Sequence, residues 1–161
     1  MVKGVRIPAM PLPPLRFTPL AIGKVWGGRR LARFGRDLPP DSRIGESWEV
    51  SDFEDAVTCV AGGLLSGMSL RALMEDRASE LVGNEGSDPF GRYPLLLKLL
   101  DASERLSLQV HPDDKTAAML GDRRGGKEEA WLVLESTPEG VLALGLKPEV
   151  DTATLFDALE G

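Results

Sequence analysis

The stretch Leu106-Ser107-Leu108-Gln109-Val110-His111-Pro112 alternates apolar and polar side chains and holds the only histidine of the chain. A period of two is what a half-buried β-strand requires, because successive side chains on a strand point to opposite faces. Ser107, Gln109 and His111 then share one face, and Leu106, Leu108 and Val110 the other. Further on, Gly125-Gly126-Lys127-Glu128-Glu129-Ala130-Trp131-Leu132-Val133-Leu134 reads as a turn leading into a second strand, with Lys127, Glu129 and Trp131 on one side. Taken singly, such a polar face can simply meet water. Where two of them line one cavity, a Gln, a His, a Glu and a Lys converge.

Most of the chain has the same character, short strands separated by turn signals at Pro39-Pro40-Asp41-Ser42, Gly62-Gly63, Gly83-Asn84-Glu85-Gly86 and Asp122 to Gly126. Three helices interrupt it. Ser69 is placed to cap a helix over Leu70 to Val82, whose apolar face is Leu70, Leu73, Met74, Leu81 and Val82 and which Gly83 stops. A shorter helix starts at Asp113 or Asp114, capped by the aspartate, and ends at Gly121; a third runs from Asp151 to Leu159. There is no repeat, no low-complexity tract and no dividing linker, so residues 1–161 read as one domain, and 42% hydrophobic residues suffice for a core.

No apolar run approaches the roughly 18 to 20 residues of a membrane span. The N-terminus, with Pro8, Pro11, Pro13 and Pro14, lacks the pattern of a secretory signal, which places the protein in the cytoplasm. The single cysteine, Cys59, sits in a β-branched run suggestive of a buried strand and has no internal disulfide partner. A net charge of −6 argues against general nucleic-acid binding. Arg29, Arg30, Arg33 and Arg36 form a basic cluster that reads as a solvated surface patch. Lys98 stands out, a cation inside Leu95-Leu96-Leu97-Lys98-Leu99-Leu100. It either snorkels at a strand end or is buried, paired and available for chemistry.

Trp26-Gly27-Gly28, Gly45-Glu46-Ser47-Trp48-Glu49-Val50-Ser51, Tyr93-Pro94-Leu95-Leu96-Leu97-Lys98, Leu106 to Pro112 and Lys127-Glu128-Glu129-Ala130-Trp131 follow one another in an order and spacing that resembles the type I mannose-6-phosphate isomerases, from about Leu15 onward. That family is built on the cupin jelly roll, so the resemblance implies a mainly β fold, here an incomplete jelly roll with a small helical insertion containing the first helix. It also implies a soluble zinc enzyme that interconverts mannose 6-phosphate and fructose 6-phosphate by opening the sugar ring and moving a proton between C1 and C2 through a cis-enediol.

In the family, one zinc per chain is held by the residues matching Gln109, His111 and Glu129 and by a later histidine without a counterpart before Gly161. With one anionic ligand, such a zinc keeps net positive charge and suits Lewis-acid chemistry rather than a closed structural site. Lys98 and Lys127 match active-site lysines, the former assigned as acid/base or as phosphate partner, and Ser107 matches a serine beside the substrate phosphate. The expected partner is a small sugar phosphate. Longer members carry a histidine where this chain has Gly126, so no ring-opening role for that histidine transfers. A late arginine and an acidic residue also lie beyond Gly161, which leaves the site incomplete and the isolated chain prone to self-association. Trp26, Trp48, Glu49 and Trp131 read as packing, although Trp131 shares a face with Lys127 and Glu129. Two other functions fit the same residues: a cupin that binds a sugar phosphate or metal without turnover, and an isomerase or epimerase for another phosphorylated or nucleotide-linked sugar.

Overall fold

The computed structural model describes residues 11–122 and 124–160, the last two of these by backbone alone. Seven strands form among the described residues: β1 (Phe17–Thr18), β2 (Leu20–Gly28), β3 (Ile44–Val50), β4 (Asp52–Phe53), β5 (Ala56–Val57), β6 (Cys59–Val60) and β7 (Leu97–Leu100). All described pairings are antiparallel: the sheet β2-β3-β7 and the two-stranded pairs β1-β6 and β4-β5. The mainly β expectation holds. Residues 1–10, on which much of the reading of the N-terminus rests, lie outside the described residues.

Strand β3 is the hub, and two of the sequence motifs explain its neighbours. Trp26-Gly27-Gly28 ends β2 and Gly45 begins the Gly45–Ser51 motif; a Cβ on Gly27 would strike the backbone of Ile44 and Gly45. The bare glycine is what lets two backbones touch there. Gly28 abuts Asp101, whose Oδ2 accepts from the backbone N–H of Arg30 at 2.6 Å and so pins the turn after β2 to the end of β7.

Two apolar clusters hold this half together. Leu31, Leu38 and Ile44 pack with Leu99, and Val60, Leu65 and Leu73 pack with Leu15, Phe17, Met68 and Leu81. Leu73, fully buried, comes from α1 (Leu70–Val82), whose Ser69 cap accepts from the Ala72 N–H at 3.2 Å and whose end at Gly83 adopts φ +56°. Burial of such a leucine is worth about 2 kcal/mol. Helix α1 is kinked at Arg77. Asp52, 3% exposed, accepts from Arg71 Nε at 2.9 Å and from the Tyr93 N–H at 3.0 Å, so it ties α1 to the segment that leads into β7. Helices α2 (Asp114–Met119) and α3 (Thr152–Glu160) form where they were expected, and the Asp113 carboxylate that caps α2 accepts from the Thr116 N–H at 2.7 Å.

Some expectations are corrected and others refined. The Leu106–Val110 and Lys127–Leu134 segments form no strand: neither pairs in a ladder with any described residue, and Leu108 (71% exposed), Val110 and Leu132 face outward. Alternation prepares two faces, but a strand exists only where a neighbour takes its backbone groups. The arginine cluster lies at the surface as expected, with Arg29, Arg30 and Arg33 exposed, but three of its members are also tied to the fold. Arg29 donates to the carbonyls of Pro39 and Ser42, Arg33 pairs with Glu135, and Arg36 grips Glu49 through Nε at 3.0 Å and Nη2 at 2.6 Å. Glu49 therefore has an electrostatic partner rather than a purely packing role. Cys59 does lie in a strand, but half-buried.

Candidate active site

His111 is fixed from its C-terminal side. Pro112 follows it, Asp113 caps α2, and the carbonyl of Pro112 accepts from the Lys127 N–H at 3.0 Å, while Asp114 Oδ1 accepts from the Gly126 N–H at 2.9 Å. These two bonds stitch the 111–114 and 126–129 segments together without a sheet. Gly126 makes this possible: a Cβ there would run into the backbone of Asp113 and Asp114. The position where longer members of the resembled family carry a histidine is thus closed to any side chain in this arrangement.

Across the stitch, His111 Nε2 lies 3.1 Å from Glu129 Oε2 and 3.1 Å from Lys127 Nζ, and Lys127 Nζ lies 2.7 Å from Glu129 Oε1. With its proton on Nε2 the imidazole donates to Glu129 Oε2; with the proton on Nδ1, Nε2 instead accepts from the Lys127 ammonium. Burial pushes the Glu129 carboxyl up, but the hydrogen bond and charge of Lys127, helped by His111, more than offset it and hold the group below the ordinary carboxylate value. It is an anion at neutral pH.

Not every expected residue joins this cluster. Gln109 donates to the Ser107 hydroxyl at 3.4 Å, so these two meet on the face that alternation assigns them, but no hydrogen bond among the described residues connects either to His111. Trp131 is 48% exposed. Among the described residues no group of three or more His, Cys, Asp or Glu side chains is placed to hold a metal ion.

Lys98 belongs to a different constellation. It lies in β7 directly opposite Trp48 of β3, and its Nζ is 3.4 Å from Oε1 of Glu46, two residues along β3 on the same face. Glu46 Oε2 accepts from the Trp48 indole N–H at 2.7 Å and has Lys24 Nζ at 4.0 Å. Lys98 is a paired lysine, not one snorkelling at a strand end. Glu46 itself is a residue that sequence reasoning passed over. The available signal was the two-residue spacing of Glu46 and Trp48, which puts a carboxylate and an indole on one strand face.

With this geometry in view, comparison with known proteins gives a direct match: residues 15–144 fit the family model described as phosphomannose isomerase type I, catalytic domain. The chain belongs to that family. Mannose-6-phosphate isomerase ManA of Bacillus subtilis is 35% identical over 132 residues, which cover 82% of this chain and 40% of that protein. The mannose-6-phosphate isomerase of Streptococcus mutans is 42% identical over 118 residues, covering 73% of this chain and 35% of its own length. The crystal structure of mannose 6-phosphate isomerase from Bacillus subtilis superposes with a TM-score of 0.62 at 38% identity, over 70% of this chain and 35% of that one. A mutant phosphomannose isomerase from Salmonella typhimurium, 22% identical with a TM-score of 0.52 over 65% of this chain and 27% of that one, shares the fold. The chain thus spans about 40% of the length of phosphomannose isomerase relatives such as ManA. No described helix is long and apolar enough to cross a membrane.

Proposed function

We propose that this chain carries the first part of a zinc-dependent aldose-ketose isomerase that interconverts mannose 6-phosphate and fructose 6-phosphate. The observation that carries the reading is the His111-Glu129-Lys127 cluster, found in a chain of this family at the positions its resemblance singled out. The donor set suits the metal: an imidazole nitrogen and a carboxylate lie 3.1 Å apart, with the Lys127 ammonium within reach of both. His111 and Glu129 would hold one zinc per chain, and Gln109 would join after turning away from Ser107. Bound zinc would supply Lewis-acid polarisation of the sugar oxygens on C1 and C2.

The chain's own residues supply the rest. Lys127, displaced from between His111 and Glu129, is left beside the metal site with an ammonium free to contact the sugar or move a proton. Ser107, hydrogen-bonded to Gln109, offers a hydroxyl to the phosphate. Lys98 adds a second cation, held by Glu46. The site is completed in a polypeptide of the relatives' length, so residues 1–161 alone should bind zinc weakly and turn over little substrate.

The test pairs two readouts. Zinc content after dialysis should be lower in the His111→Ala variant than in the parent, in the 161-residue chain and in a polypeptide extended to the relatives' length. Only the extended form should convert mannose 6-phosphate. Equal zinc in parent and variant would refute the ligand assignment, and absence of conversion by the extended, zinc-loaded form would refute the isomerase reading.

A further inference from the structure

Glu46 is the most enclosed carboxylate on the face of the β2-β3-β7 sheet that bears Lys98. Its side chain is 8% exposed, against 19% for Lys98 and 37% for Lys24. A carboxylate so enclosed is unfavourable unless its oxygens are satisfied, and here both are: Oε1 faces the Lys98 ammonium at 3.4 Å, while Oε2 takes the Trp48 indole N–H at 2.7 Å and lies 4.0 Å from Lys24. The backbone fixes this arrangement. Glu46 and Trp48 lie two apart on the central strand, and Trp48 stands opposite Lys98, so the carboxylate reaches the ammonium across a ladder diagonal.

Without Glu46, four rotatable bonds would leave the Lys98 amine free to sweep the sheet face. With it, the amine has one place to be. The indole N–H satisfies the other oxygen of the carboxylate, but the charge that faces the ammonium stays when the indole is lost. One negative charge against two ammoniums leaves this face net positive, so the pairing orients Lys98 without cancelling the attraction of the face for an anionic substrate.

We propose that Glu46 is the positioning residue for Lys98, acting through the lysine and not by touching the substrate; the catalytic part of this assignment rests on the isomerase reading of Lys98 above. Glu46→Gln keeps the size of the side chain and an oxygen for the indole but removes the charge that holds the ammonium. Trp48→Phe does the converse, removing the indole donor and leaving the carboxylate.

The amine-acylation rate of Lys98, mapped by peptide mass in the 161-residue chain and normalised to exposed Lys115 and Lys147, reads the clamp directly. Glu46→Gln should raise that rate at least about threefold, Glu46→Asp by less, and Trp48→Phe by under about twofold, as expected for loss of an ion pair that is only partly exposed. Equal Lys98 rates in parent and Glu46→Gln, or an equal rise in Trp48→Phe, would overturn the proposal. Should Glu46→Gln fail to fold, Glu46→Asp decides alone, an unchanged Lys98 rate counting against it. In the extended polypeptide, Glu46→Gln should lower kcat/KM about tenfold with unchanged zinc content, and Glu46→Asp should recover part of it. Wild-type kcat/KM in Glu46→Gln overturns the positioning role, whereas an inactive parent overturns the isomerase reading and leaves the acylation ratio to judge the clamp.

Discussion

The β2-β3-β7 sheet and the segment from Leu106 to Leu146 have similar sequences and different fates. Both alternate, both are rich in Leu and Val, and both carry candidate chemistry, Lys98 and Glu46 in one, His111, Lys127 and Glu129 in the other. In the sheet, β3 has a hydrogen-bonded neighbour on each side, and Ile44, Ser47 and Glu46 are buried. In the later segment no described strand forms, and Leu132, Val141 and Leu144 are each more than four-fifths exposed. A polar face becomes a rigid site only where a ladder holds the strand that bears it. The His111 cluster makes do with one backbone hydrogen bond and one from a backbone N–H to the Asp114 carboxylate, so it is the less defined of the two constellations.

The contrast can be broken first in the packed half, at the core between α1 and the β1-β6 pair. Leu73→Ala empties a fully buried position and should lower the urea-unfolding free energy by about 2–5 kcal/mol. An effect under about 1 kcal/mol would mean that the packed half is as loosely held as the open one. Next in size is Gly27→Ala, whose added methyl meets the backbone of Ile44 and Gly45. A loss of about 1–3 kcal/mol in the same titration is expected, together with loss of amide-exchange protection over β2 and β3. The smallest effect belongs to Leu132→Lys. At 83% exposure it should change stability by less than about 0.5 kcal/mol, yet the variant should self-associate less in sedimentation, because apolar edges left open favour association. Unchanged self-association would mean that the exposed stretch is not what brings copies together.

The helices were the most legible part of the sequence. Ser69 with Ala72, and Asp113 with Thr116, settle a helix start within three residues, and Gly83 ends α1 by a backbone conformation that glycine adopts without strain. The site was legible in part. His111, Lys127 and Glu129 do meet, whereas Gln109 turns to Ser107 and Lys98 belongs to Glu46. The arginines do lie at the surface, but their partners were not legible for the same reason that Glu46 was missed: Arg33 finds Glu135, 102 residues away, and no local pattern announces such a pair.

What the sequence determined by itself was what neighbouring residues can settle among themselves: the caps, the two-faced strands-in-waiting and the run of motifs that mark the family. What only the tertiary structure decided was which alternating segments became strands, which charges met and why Gly126 must be bare. The division has a physical cause. A cap closes its hydrogen bond within one turn, at the cost of ordering a few residues, but a ladder or a pair such as Lys98 and Glu46, 52 residues apart, exists only after distant segments have been brought into register.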